Sequence, residues 1–391
     1  MYTIKTYNSI AESGLNILRQ ENFTINNDAD QPDGIILRSY NLHNVDIPRS
    51  VKAIARAGAG VNNIPVQACS ERGIVVFNTP GANANAVKEL VLAVLLASSR
   101  NLFDGVEWAK TLRGQGDQVP SLVEAGKKEF VGTEIKGKKL GIIGLGAIGA
   151  LVANDALELD MEVIGFDPFI SVDTAWNLSR NVQRAMNIEQ IFSACDYITV
   201  HVPLTDQTRE MFNREAFSQM KPGVRILNFS RGELVNEHDL NEAIEKGIVA
   251  KYITDFPNDR ILGMKNVIAV PHLGASTKES EENCAIMAAK QLKDYLETGN
   301  IKNSVNFANV ELPYVGRKRI TVIHQNIPNM VGQMTSILAE SHLNIADMLN
   351  RSKGEWAYTL IDIDNKVNGD VLPSVEARIK EIKGVVAVRS I

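Results

Sequence analysis

Short runs of apolar and β-branched residues punctuate the first part of the chain. GIILRS (34–39), VKAIARAG (51–58) and GIVVFNTP (73–80) read as strands set among helical pattern. VKELVLAVLLASSR (87–100) is apolar nearly all round and long enough for a buried helix, with Glu89 in its first turn and Arg100 at its end complementing the dipole. A second series begins at Lys138. Its strands are KLGIIGLG (139–146), EVIGFDP (162–168), YITVHVP (197–203), RILNFS (225–230), AKYITDFP (250–257) and NVIAVPH (266–272). Helices such as Ala147–Leu159 and Glu237–Lys246 lie between them, and the helical stretch Ser276–Thr298 follows. Strands alternating with helices predict an α/β fold with doubly wound parallel sheets.

The periodicity lapses over NSVNFANVELPYVGRKR (303–319), which reads as a linker. After it come strand RITVIHQN (319–326), helix Asn329–Glu340, strands ADMLNRSK (346–353) and WAYTLIDID (356–364), helix Asp370–Ile382 and strand VVAVRS (385–390). That order, βαββαβ, predicts a small ferredoxin-like domain.

Length and charge narrow the function classes. A chain of 391 residues is enough for two to three domains, and a net charge of −5 offers no basic footprint for nucleic acid or an anionic membrane. Cys69, Cys195 and Cys284 are far apart without a CxxC pair, so neither a disulfide framework nor a metal site is expected. The longest apolar run, Leu90 to Ala97, is eight residues where a membrane span needs about 20, and MYTIKTYNSI does not read as a signal peptide. A cytoplasmic location is the expectation.

The strongest local signal is Gly144-Leu-Gly146-Ala-Ile-Gly149, set between a strand and a helix. Gly144 suits the tight turn, Gly146 lets the N–H groups of Ala147 and Ile148 approach a pyrophosphate, and Gly149 allows close helix–strand packing. Asp167, 18 residues past Gly149, stands where an acid grips the adenine ribose hydroxyls. Its charge would repel a 2′-phosphate, and no Arg or Lys follows in Pro168-Phe169-Ile170, so NAD is expected rather than NADP. Three further strand ends converge on the same edge: His201-Val202-Pro203, Asn228-Phe229-Ser230-Arg231 and Pro271-His272. Each residue alone has an ordinary structural explanation. Downstream of a dinucleotide fingerprint, a histidine that exchanges a proton and a guanidinium that forks onto a carboxylate suit hydride chemistry on a hydroxy acid.

Over essentially its whole length the chain resembles the D-isomer-specific 2-hydroxyacid dehydrogenases, and among them those with a C-terminal ACT domain. RAGAGVNNIP (56–65) and GIVVFNTPGANANAVKE (73–89) resemble that family's substrate-domain signatures; KGKKLGIIGLGAIG, HVPLT, NFSRGELV and PHLGAST resemble its cofactor-domain ones. The resemblance implies a flavodoxin-like substrate domain over 1–98 and 276–303, a Rossmann-type NAD domain over 99–275, a linker over 304–318 and a regulatory ACT domain over 319–391. It implies oxidation of 3-phosphoglycerate to 3-phosphohydroxypyruvate at the entry to serine synthesis, by a homodimer or homotetramer.

By the same resemblance Arg231 is the catalytic arginine and His272 the proton-transfer group, both also touching cofactor and substrate. His201, Val202, Pro203 and Ser230 join Gly144, Gly146, Ala147, Ile148, Gly149 and Asp167 around the cofactor. The family's acid sits in a DVFxxEP segment, which here reads Thr254-Asp255-Phe256-Pro257-Asn258-Asp259. Aligned on Phe-Pro, Asp259 takes the acid position and is expected to pair with His272, with Asp255 beside the nicotinamide. Because a one-residue shift turns a strand side chain to the other face, the reverse assignment stays open. Substrate contacts are expected at Arg38, Ala59, Gly60, Val61 and Asn83, and an L-serine effector at His324, Asn326 and Asn344. Asn329, where relatives have Gly, is expected to tolerate a left-handed turn. The rival readings are a dehydrogenase of another D-2-hydroxy acid and a non-enzymatic NAD-sensing corepressor on the same fold.

Overall fold

Runs of Ile, Val and Ala that bury both faces of a parallel sheet account for most of the strands in the computed structural model, which describes residues 1–19, 22–364 and 371–391. The chain divides into two compact units, one of residues 1–83 with 278–391 and one of 84–277.

In the first unit five parallel strands, Tyr2–Tyr7, Phe23–Ile25, Gly34–Leu37, Ala53–Arg56 and Val75–Phe77, stand in the order 2-1-3-4-5. This is the flavodoxin-like order. Helix Lys278–Thr298 packs its Ala285, Ala288, Leu292 and Leu296 on Ile4, Ile36 and Phe77. The expected linker is in part core: Phe307 and Val310 are buried, and Asn306 bonds the backbone of Val76 and Ile74. Only 311–317 is largely exposed.

The ferredoxin-like portion has strands Arg319–Gln325, Ile345–Lys353, Trp356–Ile363 and Val385–Ser390, antiparallel, in the order 2-3-1-4. Helices Met330–Glu340 and Leu372–Lys380 cover one face with Met334, Leu338, Val375 and Ile379. Asp370, the expected start of the second helix, lies outside the described residues. The opposite face sends Ile323, Tyr358 and Leu360 into the cluster of Phe77, Tyr295 and Leu296. A buried ion pair, Arg319 Nη2 to Asp362 Oδ2 at 2.9 Å, joins the sheet to the carbonyl of Thr298, 2.8 Å from Arg319 Nη1. Asn329 takes φ of 64°, the left-handed turn that its amide side chain tolerates.

In the second unit seven parallel strands run Lys139–Ile143, Glu162–Phe166, Gln183–Arg184, Tyr197–Val200, Val224–Asn228, Val249–Thr254 and Val267–Ala269. Numbered within the unit, their spatial order is 7-6-5-4-1-2-3, the Rossmann order with a seventh strand added. Helix Ala84–Ser99 belongs to this unit and not, as the sequence suggested, to the first. Its Val87, Val91, Val94 and Leu95 pack with Leu140, Ile142 and Ile253. It is buried on one side only, since Glu89, Ala93 and Leu96 are exposed, and its first turn holds no acidic residue. Among the described residues, helices Leu102–Thr111 and Val119–Gly126 bury no side chain.

Candidate active site

The glycine turn is built as its spacing requires. Gly144 has φ of 92°, and a Cβ there would meet the carbonyl oxygen of His201 at 2.6 Å. A Cβ on Gly149 would stand 2.0 Å from the Gly144 oxygen, so strand and helix meet closer than any side chain allows. Around Gly146 there is open space, and helix Ala147–Glu158 starts immediately after it. The first N–H groups of that helix have no intrahelical acceptor and face this opening, a cradle of the right character for a pyrophosphate. Asp167 closes the turn. Its Oδ2 accepts the N–H of Leu145 at 2.8 Å and its Oδ1 that of Phe169 at 2.8 Å, and each oxygen keeps a lone pair for a ribose hydroxyl. The residues present therefore fit a dinucleotide.

His201 follows the fourth strand. Its Nε2 is 3.0 Å from Thr199 Oγ1, and its Nδ1 is buried without a partner among the described residues. Burial pushes its pKa down to about 4, so the ring is neutral near pH 7. Its neighbour Val202 packs where a Gly144 side chain would be, and the Pro203 carbonyl accepts from Thr208 Oγ1 at 2.7 Å. This strand end lines the glycine turn through backbone and bulk.

Arg231 and Ser230 follow the fifth strand. Ser230 Oγ donates to the Val200 carbonyl at 2.8 Å, tying adjacent strand ends together. Asn228, fully buried, accepts the Ser230 N–H and donates to the Arg231 carbonyl at 2.8 Å, which leaves the Arg231 side chain exposed at the edge. A cleft of about 830 Å³ beside this turn is lined by Gly232, Asp255, Phe256, Pro271 and His272 among others.

The two aspartates separate clearly. Asp255, directly after the sixth strand, is 1% exposed, and its Oδ2 accepts the N–H of Gly274 at 3.3 Å. Burial pushes its carboxyl up, while the charges of His272 and Arg231 pull it back. Asp259 opens the helix Asp259–Leu262 and is exposed, outside the cleft lining. The expected pairing of Asp259 with His272 is thus corrected: Asp255 is the carboxylate within electrostatic reach of the histidine. The Phe256 ring packs edge-on against His272, centroids 5.0 Å apart.

In the first unit, Arg38 and the residues 59–61 lie at carboxyl ends of neighbouring strands. Arg38 Nη1 forms an ion pair with Glu281 at 2.7 Å. The Ala59 carbonyl accepts from Asn78 at 2.6 Å and that of Val61 from Ile64 N–H at 3.0 Å, while Gly60 and Asn83 are half-buried. Arg56 was not among the residues singled out from the sequence. It ends the fourth strand, and its Nε donates to the Arg38 carbonyl at 3.0 Å. The signal was present, a guanidinium immediately before the Ala57-Gly58-Ala59-Gly60 turn.

The effector residues do not assemble within one chain. His324 is 2% exposed with both ring nitrogens engaged, Nδ1 to the Gln325 carbonyl at 2.7 Å and Nε2 to Thr359 Oγ1 at 2.9 Å. It is a structural group of the sheet and has no ring nitrogen left for a ligand. Asn326 adjoins the Trp356 end of strand Trp356–Ile363 and Asn344 the Ile363 end. At about 3.4 Å per residue they stand roughly 25 Å apart. Among the described residues no cluster of three His, Cys, Asp or Glu side chains is placed to hold a metal ion, and no helix is long and apolar enough to cross a membrane.

Comparison with known proteins follows the same lines. Residues 92–274 match the family described as "D-isomer specific 2-hydroxyacid dehydrogenase, NAD binding domain". The D-3-phosphoglycerate dehydrogenase of Haemophilus influenzae is 32% identical over 345 residues, covering 84% of this chain and 78% of that protein. The enzyme of that name from Methanocaldococcus jannaschii is 33% identical over 340 residues, 85% of this chain. Several relatives of the same name are longer, and the chain spans 52% to 62% of their length. The NAD⁺-bound 3-phosphoglycerate dehydrogenase of Entamoeba histolytica superposes with a TM-score of 0.61 at 29% identity, over 78% of this chain and 98% of that one.

Proposed function

The chain belongs to the D-isomer-specific 2-hydroxyacid dehydrogenase family, and we propose that it catalyses the reversible NAD-linked oxidation of 3-phosphoglycerate to 3-phosphohydroxypyruvate. The observation that carries this reading is the meeting of Arg231, Asp255 and His272 at one sheet edge that also bears the Gly144 turn. NAD, held by the Gly144–Gly149 turn and Asp167, supplies the hydride acceptor. His272 accepts the proton of the C2 hydroxyl as the carbonyl forms. Arg231 holds the carboxylate with a guanidinium fork and faces the oxygen on which charge develops. Asp255, whose carboxyl feels the charge of His272, stands to balance the imidazolium that this proton transfer creates. In the first unit Arg38 and the backbone of 59–61, at the carboxyl ends of neighbouring strands, are the groups proposed to contact substrate. In the second reading the acid is an unphosphorylated D-2-hydroxy acid; the Arg38–Glu281 ion pair favours it, since Glu281 already engages that cation.

The same reading takes residues 319–391 as a regulatory module. L-Serine would bind between Asn326 of one chain and Asn344 of another, because one chain keeps them at opposite ends of the sheet. A second copy is further supported by the exposed Leu102, Phe103 and Val106 of the helix that buries nothing. The location is taken as cytoplasmic, where the free buried thiols of Cys69, Cys195 and Cys284 stay reduced.

Purified protein given NAD and 3-phosphoglycerate should produce NADH, with D-lactate and D-2-hydroxyglutarate turned over at least tenfold less efficiently. Millimolar L-serine should inhibit, and D-serine should not. Preference for an unphosphorylated acid would replace the first reading with the second, and insensitivity to L-serine would leave the last domain a module of assembly.

Cofactor choice rests on Asp167. The Asp167→Ser/Pro168→Arg variant should raise the NADP-to-NAD ratio of kcat/KM about 10²-fold, equivalent to about 2.7 kcal/mol of differential binding. An unchanged ratio would place the ribose contact elsewhere.

A further inference from the structure

The last carbonyls of an α-helix find no donor inside it, and those of helix Lys278–Thr298 are met from the sheet of residues 319–391. Arg389 Nη2 donates to the Tyr295 carbonyl at 2.5 Å and Arg319 Nη1 to that of Thr298 at 2.8 Å. The Tyr358 hydroxyl donates to the carbonyl of Gly299, just past the helix end, at 2.6 Å. Two guanidinium groups at this end complement the negative pole of the helix dipole. That of Arg389 lies over the Tyr295 ring, 4.5 Å from its centroid. Backbone approaches as closely: a Cβ on Gly299 would meet Thr321 at 2.6 Å, and one on Gly73 would meet Ala387 at 2.8 Å. At another corner Lys353 Nζ donates to the carbonyls of Ser304 and Val305 at 3.2 and 3.0 Å.

The two central strands of that sheet are covered on both faces. Arg319 to His324 and Ala357 to Ile363 are buried at every position, where a sheet with one solvated face alternates buried and exposed residues. Helices Met330–Glu340 and Leu372–Lys380 account for one side. On the other, Ile323, Tyr358 and Leu360 pack with Phe77, Tyr295 and Leu296 in a single cluster. We propose that residues 319–391 are the closing wall of the first unit. They cap helix Lys278–Thr298 and complete its core, so the two portions open as one cooperative body, and a ligand held by either stabilises both against opening. The exposed stretch 311–317 then serves as a connection and not as a hinge. The same helix carries Glu281, the ion-pair partner of Arg38, so the body reaches from the C-terminal sheet to the edge where the hydroxy acid is placed. The proposal rests on the reading above only in placing the acid at Arg38.

Amide hydrogen exchange of the full chain, under conditions where the opening equilibrium sets the rate, tests this. In the wild type the slowest amides of strands Arg319–Gln325 and Gly34–Leu37 should exchange within about threefold of each other, as members of one cooperative unit. Tyr358→Phe keeps the ring and removes one buried hydrogen bond. Both strands should then exchange about fivefold faster, by the same factor, with strand Lys139–Ile143 of the second unit changed less than about twofold. Ile323→Val, which trims one methyl group from the joint, should act alike. 3-Phosphoglycerate at about 100 times its Kd should slow both strands about 10²-fold. Acceleration confined to the strands of residues 319–391, or slowing confined to Gly34–Leu37, would overturn the proposal, because the two portions would open separately. Unchanged exchange in both variants, or equal acceleration of Lys139–Ile143, would overturn it as well. If the variants speed both strands and 3-phosphoglycerate slows neither, the substrate reading alone fails, since the variant comparison needs no substrate.

Discussion

Alanine at His272 is expected to lower turnover by about 10²- to 10⁴-fold, the usual contribution of a positioned acid–base group. The side chain is exposed in the cleft, with the Phe256 ring on one side and the buried Asp255 charge within reach. Of the other histidines near that edge, His201 is neutral and bonded to Thr199, and His238, which also lines the cleft, is carried by helix Glu237–Glu245 with its Nδ1 3.4 Å from Glu242. Removing the imidazole leaves the Gly144 turn and the two Asp167 hydrogen bonds intact, so calorimetric NAD affinity should stay within about threefold, under 0.7 kcal/mol. Turnover within tenfold of wild type would take His272 out of the chemistry.

The parts of this molecule that were legible in the sequence are those whose residues answer to a single local demand. Strand Tyr197–Val200 is buried at every position, and a strand buried on both faces reads as a continuous apolar run. The three glycines of the cofactor turn each answer to a backbone approach that excludes a Cβ, so their spacing carries its own explanation. Strand Tyr2–Tyr7 was invisible because only Ile4 is buried, leaving Thr and Lys to set the pattern, and Gln183–Arg184 is two exposed residues held by pairing alone. Residues 304–310 read as linker because two hydrophobic anchors, Phe307 and Val310, are too few to show a period.

The placement of residues at the sheet edge was legible to the same degree. Arg231 and His272 stand at strand ends, where sequence position nearly dictates location. The choice between Asp255 and Asp259 instead depends on the loop. Asn258 caps the short helix by accepting the Ile261 N–H at 3.0 Å, and its Nδ2 donates to Glu237 at 2.6 Å. That anchoring turns Asp259 to solvent. His324 failed for a different reason, since a polar residue in a strand gives no sign that both faces of its sheet are covered.

Asp255→Asn should produce a protein that is more stable at neutral pH and slower in turnover. The carboxyl is buried, Oδ1 has no hydrogen-bond partner among the described residues, and Oδ2 accepts a long bond from the Gly274 N–H at 3.3 Å. Its folded pKa is raised by burial in spite of His272 and Arg231. Below the unfolded value, about 3.9, both states hold the proton and the site costs nothing. As pH rises through the higher folded value, the unfolded chain gives up its proton more readily, so ionisation subtracts stability and the loss is complete above that value. Asparagine removes this loss. The gain should raise the melting temperature at pH 7 and change it little near pH 3.5. Turnover should fall about 10- to 100-fold, because the imidazolium formed when His272 takes the hydroxyl proton loses its fixed counter-charge. Asp259→Asn, altering an exposed group outside the cleft, should change neither quantity appreciably. Melting curves at the two pH values and initial rates of both variants decide the matter. If Asp259→Asn alone slowed the enzyme, the histidine's partner would be the solvent-facing aspartate after all.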